Sequence, residues 1–213
     1  MKLTRNIPII PDESALLFID VQNFSAHRKG AEFVGLSSAI FEEKYAWYFD
    51  ELESFVIPKM QAIQYECRNA GVEVMYTTIE SLTVDGRDRS LDYKITGFNV
   101  PKGSWDGKVI DLLSPGEDEI ILPKTSSSVF VSTHIDYILR NLGVKQLIIS
   151  GLITDQCVES AIRDACDLGY LVTQVIDACL TYSPERQSNS LQAIKGYCRQ
   201  LTSQELIEEL SNA

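Results

Sequence analysis

The stretch from Gln146 to Gly169 constrains this chain most, because its hydrophobic periodicity changes in mid-course. Gln146-Leu-Ile-Ile-Ser is a short apolar run, and Gly151 offers a turn. Beyond it, Val158, Ala161, Ile162, Ala165 and Leu168 recur at helical spacing and predict one apolar helix face. Gly169 stands where a helix C-cap is expected, and Thr154 or Asp155 is placed to cap the N-terminus. Cys157 then falls in the first helical turn, where partial positive charge and free N–H groups favour thiolate over thiol. It is the first candidate for chemistry.

The rest of the chain repeats the strand-then-helix rhythm. Ala15 to Val21 is a continuous apolar run broken only by Asp20, which suits a strand buried on both faces of a parallel sheet. Residues 22–40 read as a loop. Phe41 to Phe55 has helical spacing, Pro58 is placed to open a second helix, and Gly71 ends it. Val72 to Thr78 is a second strand, followed by Ile79 and Glu80. Residues 81–105 read as a long irregular loop rich in Gly and basic residues, a length uncommon in compact domains unless functional. A helix-like piece runs from Trp105 to Leu113.

Glu119 to Lys124 is a third strand, then a polar turn. Thr133 and Asp136 resemble a cap for a helix ended by Gly143. Leu171 to Asp177 is a fifth strand after the one at Gln146. Ser183-Pro184 starts another helix, Thr202 with Glu205 caps a last one, and a short sixth strand is expected near 199–202. The alternation predicts an α/β fold: a single domain over residues 1–213, three layers deep, with a mostly parallel sheet of five or six strands between helices.

Composition sets the outer limits. With 45% hydrophobic and 23% charged residues, the chain has the make-up of a soluble protein with a sizeable core. No apolar run approaches the roughly 18 residues a membrane helix needs, and the first residues lack the apolar centre of a secretory signal. A net charge of −11 argues against a nucleic-acid partner. Five cysteines without a Cys-x-x-Cys pair, and two distant histidines, His27 and His134, argue against a disulfide framework and a structural zinc site. A reduced, cytoplasmic protein is expected.

In an open parallel sheet, ligands bind beyond the carboxyl ends of the strands. Asp20 follows the first strand, Glu80 the second, Lys124 closes the third, and Cys157 opens the helix after the fourth. Singly, each has a plain structural explanation: a core cysteine, a capping aspartate, a solvated lysine. Together at one sheet edge they suit a cysteine hydrolase, with Asp20 taking the thiol proton and Lys124 stabilising the negative charge. A Cys–His pair using His27 or His134 is the less favoured arrangement.

These residues resemble the isochorismatase-like cysteine hydrolase superfamily, which includes nicotinamidases and N-carbamoylsarcosine, ureidoacrylate and biuret amidohydrolases. The matching motifs are Phe18-Ile-Asp20-Val-Gln22-Asn23, Lys124 with the Ser/Phe segment after it, Gly151-Leu-Ile-Thr-Asp-Gln-Cys157-Val, Arg163-Asp-Ala and Val175-Ile-Asp-Ala. They lie in the family's order over roughly residues 12–182.

The resemblance implies an Asp20–Lys124–Cys157 triad and a cis peptide at Leu152–Ile153. It also implies an oxyanion hole from the Ile153 and Cys157 N–H groups, and a thioester intermediate in C–N bond hydrolysis of a small amide, carbamoyl or ureido compound. Dimers or tetramers are common in the family, and the aromatic segment 41–55 is a candidate interface or, equally, core.

Nicotinamidases carry an Asp-x-His…His metal set, whereas residues 72–124 here lack histidine, so neither metal nor cofactor is expected. Isochorismatases proper lack the nucleophilic cysteine. Arg87, Arg89 or Lys94 is a candidate for holding a substrate carboxylate. Phe24, Glu80, Trp105 and Gln156 are candidates for lining the pocket. The competing readings are a non-catalytic or regulatory member of the fold, and a redox-sensing cysteine. The second lacks a resolving partner, because Cys166 points to a different side of the helix.

Overall fold

A computed structural model describes residues 4–212. Six strands form one sheet: β1 (Ser14–Ile19), β2 (Glu73–Ile79), β3 (Ile120–Lys124), β4 (Gln146–Leu152), β5 (Leu171–Leu180) and β6 (Arg199–Leu201). Their order across the sheet is β3-β2-β1-β4-β5-β6, and every neighbouring pair is parallel. The order reverses at β1, so the crevice between the carboxyl ends of β1 and β4 is the switch point where such sheets bind ligands.

The continuous apolar runs have the cause expected of them. Leu16, Phe18 and Ile148 face one core, with Tyr48, Phe49, Met60, Ile63 and Leu206 from helices Ser38–Glu51, Ile57–Ala70 and Ser203–Leu210. Ala15, Leu17, Ile19, Leu147 and Ile149 face the other, against Ile135, Leu139, Ala161, Ile162 and Ile194 from helices Ile135–Asn141, Glu159–Asp167 and Pro184–Ile194, and Val158 just before the second of these. A strand covered on both faces has no solvent side on which to place polar residues. No helix among the described residues is long and apolar enough to cross a membrane.

Several local expectations need correction. The segments around Phe41–Phe55 and Pro58 are not two separate helices. Ser38–Glu51 continues through a π-type turn at Leu52–Val56 into Ile57–Ala70, and the Leu52 carbonyl accepts from Ile57 N–H. The wider turn absorbs the donor that Pro58 lacks, so the chain runs on. Its aromatic face is largely spent internally: Phe33, Phe41, Tyr45 and Phe49 stack on one another, and Tyr48 packs on Tyr182.

The loop at 81–105 contains a helix, Leu91–Thr96, which Ser90 caps through the Tyr93 N–H and Gly97 ends in the left-handed conformation. At six residues it is too short to show periodicity. The piece from Trp105 to Leu113 is two 3-10 turns, Trp105–Gly107 and Asp111–Leu113. Short turns also occupy Asn23–Ala26, Ala31–Phe33 and Val129–Ser132, within segments expected as loop or turn. Thr133 Oγ1 accepts from Ile135 N–H at 3.1 Å, but Asp136 accepts from Tyr170 instead of completing a capping box. Leu168, at the helix end, is 43% exposed rather than part of the apolar face.

Candidate active site

Asp20 follows β1 directly and has φ of 51°, a left-handed conformation that aspartate tolerates better than most residues. Thr77 of β2 fixes it: Asp20 N–H donates to the Thr77 carbonyl at 3.1 Å, and Thr77 Oγ1 donates to Asp20 Oδ1 at 2.7 Å. Gln22 ties the same two strand ends together. Its amide donates to the Ile79 carbonyl at 2.9 Å and accepts from Ile79 N–H at 2.5 Å.

Lys124 lies two strands from β1, so its side chain must pass over β2. The register allows this, because Lys124 sits opposite Ile79 while Thr77 sits opposite Ile19. Fully buried, its ammonium donates to the Ser126 carbonyl at 2.9 Å and to Cys157 Sγ at 3.3 Å, and lies 2.8 Å from Asp20 Oδ2. The first two contacts are hydrogen bonds and the third is an ion pair. Burial of this ammonium alone costs several kcal/mol, and the three partners offset that cost. Burial acts to lower the Lys124 pKa, but its neighbours, the Asp20 carboxylate foremost, raise it, leaving the ammonium proton held more tightly than usual.

The turn carrying Cys157 forms where β4 crowds β1. Gly151 has φ of 141°, and a Cβ there would lie 2.2 Å from the Ile19 carbonyl oxygen, so the position admits only glycine. The Leu152–Ile153 peptide bond is cis. A π-type turn at Thr154–Val158 then leads into helix Glu159–Asp167. Neither Thr154 nor Asp155 caps it, which corrects the sequence expectation: Ile153 occupies that position without a side-chain cap. Asp155 instead grips the end of β5, accepting from Thr181 Oγ1 at 2.6 Å and from Arg186 at 2.6 and 2.9 Å.

The expected bias toward thiolate is also corrected. Burial is the largest influence on Cys157 and pushes the thiol up to about 12; Lys124 pulls it down, and the Asp20 charge pushes it further up. Burial thus outweighs the pull of Lys124 and makes the thiol harder to ionise than an exposed cysteine.

Cys157 and Asp20 line a narrow cleft of ≈ 30 Å³, together with Phe24, Ser25, Glu32, Ile79, Phe98, Leu152, Ile153, Gln156 and Tyr182. Larger concavities of ≈ 770 and ≈ 530 Å³ lie elsewhere, one beside Arg5, Lys195 and Arg199, the other beside Trp47, Phe55 and Lys59. The second also holds Asp177 and Cys179, but Lys59 and Ser203 both donate to Asp177, and among the described residues no hydrogen bond links Lys59 or Asp177 to the Cys179 sulfur. Chemistry, not size, selects the small cleft.

Of the expected pocket residues, Phe24 and Gln156 line it. Five others do not. Glu80 Oε1 accepts from Gly103 N–H at 2.6 Å. Arg87 pairs with Asp85 at 2.9 Å, and Arg89 donates to the Gly86 and Phe98 carbonyls at 2.8 Å. Lys94 is exposed. Trp105, 46% exposed, packs edge-on against His27. The long loop thus spends Arg87 and Arg89 on its own shape.

The residues that sequence reasoning missed are Glu32, Tyr182, Phe98 and Ser25. Tyr182 lies two residues beyond β5, so the strand-end rule reaches it; Glu32 sits in a loop with no periodic or pairing signal. Among the described residues, no group of three or more His, Cys, Asp or Glu side chains is arranged to hold a metal ion.

Fold and site together make this an α/β protein with a parallel sheet whose switch point gathers a thiol, a carboxylate and a buried ammonium. The Isochorismatase domain model matches residues 14–205, and the chain belongs to that family. Relatives include ureidoacrylate amidohydrolase RutB of Rhizobium rhizogenes, 28% identical over 84% of this chain and 75% of its own. RutB of Pantoea ananatis is likewise 28% identical, over 84% and 74%. Among solved structures, a cysteine hydrolase from Pseudomonas syringae superposes with a TM-score of 0.82 at 25% identity, covering 99% of this chain and 98% of that one. N-carbamoylsarcosine amidase from Thermoplasma acidophilum shares the fold, with a TM-score of 0.66 at 24% identity over 90% and 96%.

Proposed function

We propose that this chain is a hydrolase acting on the C–N bond of a small amide, carbamoyl or ureido compound, through a thioester on Cys157. The observation that carries this reading is the placement of one buried ammonium, Lys124 Nζ, 2.8 Å from a carboxylate and 3.3 Å from a thiol sulfur. Family membership and the amidohydrolase relatives support the same class.

In this mechanism Asp20 accepts the Cys157 proton as the sulfur attacks the carbonyl carbon, and Lys124 stabilises the sulfur's developing charge. A thiol that stays protonated at rest makes this transfer part of the reaction itself. The carbonyl oxygen, gaining negative charge, accepts from the N–H groups of Ile153 and Cys157. The tetrahedral intermediate collapses, Asp20 returns the proton to the leaving nitrogen, and the amine or ammonia departs. Water then attacks the thioester carbon with Asp20 as base. The new acid leaves, and the proton returns to sulfur. No cofactor enters, and the whole chain acts as one domain.

The test is ammonia release over a panel of small amides, carbamoyl compounds and ureides, ureidoacrylate included, with wild-type protein and Cys157→Ala. The expected outcome is turnover of at least one compound, reduced about 10⁴-fold or more in the variant. Full turnover by Cys157→Ala, or uniform inactivity of the wild type, overturns the reading.

A further inference from the structure

The loop after β1 brings to the cleft a second carboxyl that the proposed mechanism does not use. Glu32, with Phe24 and Phe98, lines both the inner cleft and an adjoining outer concavity of ≈ 270 Å³, so it stands at the throat between them. Its Oε1 accepts from the Tyr182 hydroxyl, and among the described residues no hydrogen bond reaches its other oxygen. Loss of water, the largest influence, pushes this carboxyl up to about 7, while the Tyr182 bond and the Arg186 charge pull it down.

The groups that face Glu32 are Tyr45 and Tyr48 from the long helix, Tyr182 from the end of β5 and Arg186 from the helix after it. Arg186 is committed to Asp155 through two hydrogen bonds. Deeper in the cleft lie Asp20 and Cys157, with Lys124 buried behind them. Lys, Arg and His side chains are absent from the described lining of both concavities. The passage to the sulfur therefore offers one free carboxyl oxygen and no cation. A ligand N–H finds an acceptor there, whereas a ligand carboxylate meets a like charge without compensation.

We propose, on the basis of the amidohydrolase reading, that Glu32 is a specificity-determining residue: its free oxygen accepts an N–H of the substrate, and the site takes uncharged amides or ureides in preference to amido or ureido acids. Tyr182 positions Glu32 by holding its other oxygen.

A matched pair of alkylating agents tests this without requiring turnover. Iodoacetamide and iodoacetate differ by an amide against a carboxylate, and each transfers its acetyl-derived carbon to sulfur with loss of iodide. The rate ratio of the two at Cys157, located by peptide mass, cancels the thiolate fraction. Dividing by the same ratio for 2-mercaptoethanol removes intrinsic reactivity. In wild type this normalised preference for iodoacetamide is expected to be about tenfold or more near pH 8 and to shrink near pH 6, where Glu32 is protonated. In Glu32→Gln it is expected to fall within about threefold of the free thiol and to lose its pH dependence. Tyr182→Phe keeps the carboxyl but removes a bond favouring its ionised form, so the preference persists with its midpoint moved to higher pH.

A wild-type ratio equal to that of the free thiol, an unchanged ratio in Glu32→Gln, or an unmoved midpoint in Tyr182→Phe overturns the proposal. The two readings separate cleanly. Selective alkylation without ammonia release from any amide keeps the role of Glu32 and removes the hydrolase. Equal hydrolysis of ureido acids and their amides does the reverse.

Discussion

Cys157 and Cys179 lie on opposite sides of one strand gap, the first just past β4 and the second near the end of β5, where it sits opposite Gly151. Both are buried, and burial pushes both thiols up to about 12. By burial and pKa they are indistinguishable. Their neighbours differ. Cys179 donates to the Ile149 carbonyl at 3.9 Å and, among the described residues, bonds no ammonium although Lys59 and Asp177 line the same concavity, whereas Cys157 lies 3.3 Å from an ammonium that is itself ion-paired with Asp20. A buried thiol is inert by default. What sets Cys157 apart, and suits it to the proposed role of nucleophile, is a carboxylate and a fixed positive charge within reach.

Removing that difference should have the largest effect. Lys124→Met keeps the length of the side chain but leaves Asp20 buried without its counter-ion, which typically costs about 3–5 kcal/mol. The expected outcome is a clear fall in Tm together with loss of ammonia release, leaving Cys157 as unreactive as Cys179. A variant that keeps turnover, or whose thermal unfolding is unchanged, breaks the comparison.

A smaller effect concerns what the two thiols share. A thiol whose pKa is raised on folding stays protonated in the native state after the unfolded chain has begun to ionise, near about 8.5. Stability contributed by Cys157 and Cys179 is thus fully present below that pH and is lost as pH rises toward about 12. Cys67 and Cys198 are raised in the same way. Each contributes a slope of about 1.4 kcal/mol per pH unit within that window. Urea unfolding between about pH 8 and pH 10 should show a steady loss, less steep in both Cys157→Ala and Cys179→Ala. A flat profile would mean that burial does not hold these thiols protonated.

The contrast also explains how much was legible beforehand. Continuous apolar runs exposed the buried strands, and the change of period at Gly151 exposed the nucleophile turn. Asp20 and Lys124 stood out because a charge at the end of such a run needs a reason. Several motif residues outside this trio turn out to fasten the fold. Asp155 grips Arg186 and Thr181, Asp164 accepts from Ser128, and Asp177 accepts from Lys59 and Ser203.

What stayed hidden has a physical cause as well. Glu32 meets Tyr182 across 150 positions of chain, through a loop whose path follows no periodicity. The basic residues at 87 and 89 looked suited to a carboxylate because their actual partners, a neighbouring aspartate and loop carbonyls, are not visible to pattern, and Lys94 lies on a short capped helix that pattern does not reveal. The thiolate expectation failed because the helix N-terminus was weighed without the burial that accompanies it.

The central claim is that the Cys157 sulfur becomes covalently acylated. Asp20 serves both acylation and deacylation in the proposed mechanism, so the acyl group is to be caught on the wild-type protein while turnover is in progress. The direct measurement is the mass of the Cys157 peptide after the wild type is mixed with a turned-over substrate and quenched in acid during turnover. A gain equal to the acyl fragment, carried on Cys157 and absent from Cys179, is the predicted result. Release of ammonia by the wild type with no adduct on Cys157 would contradict it.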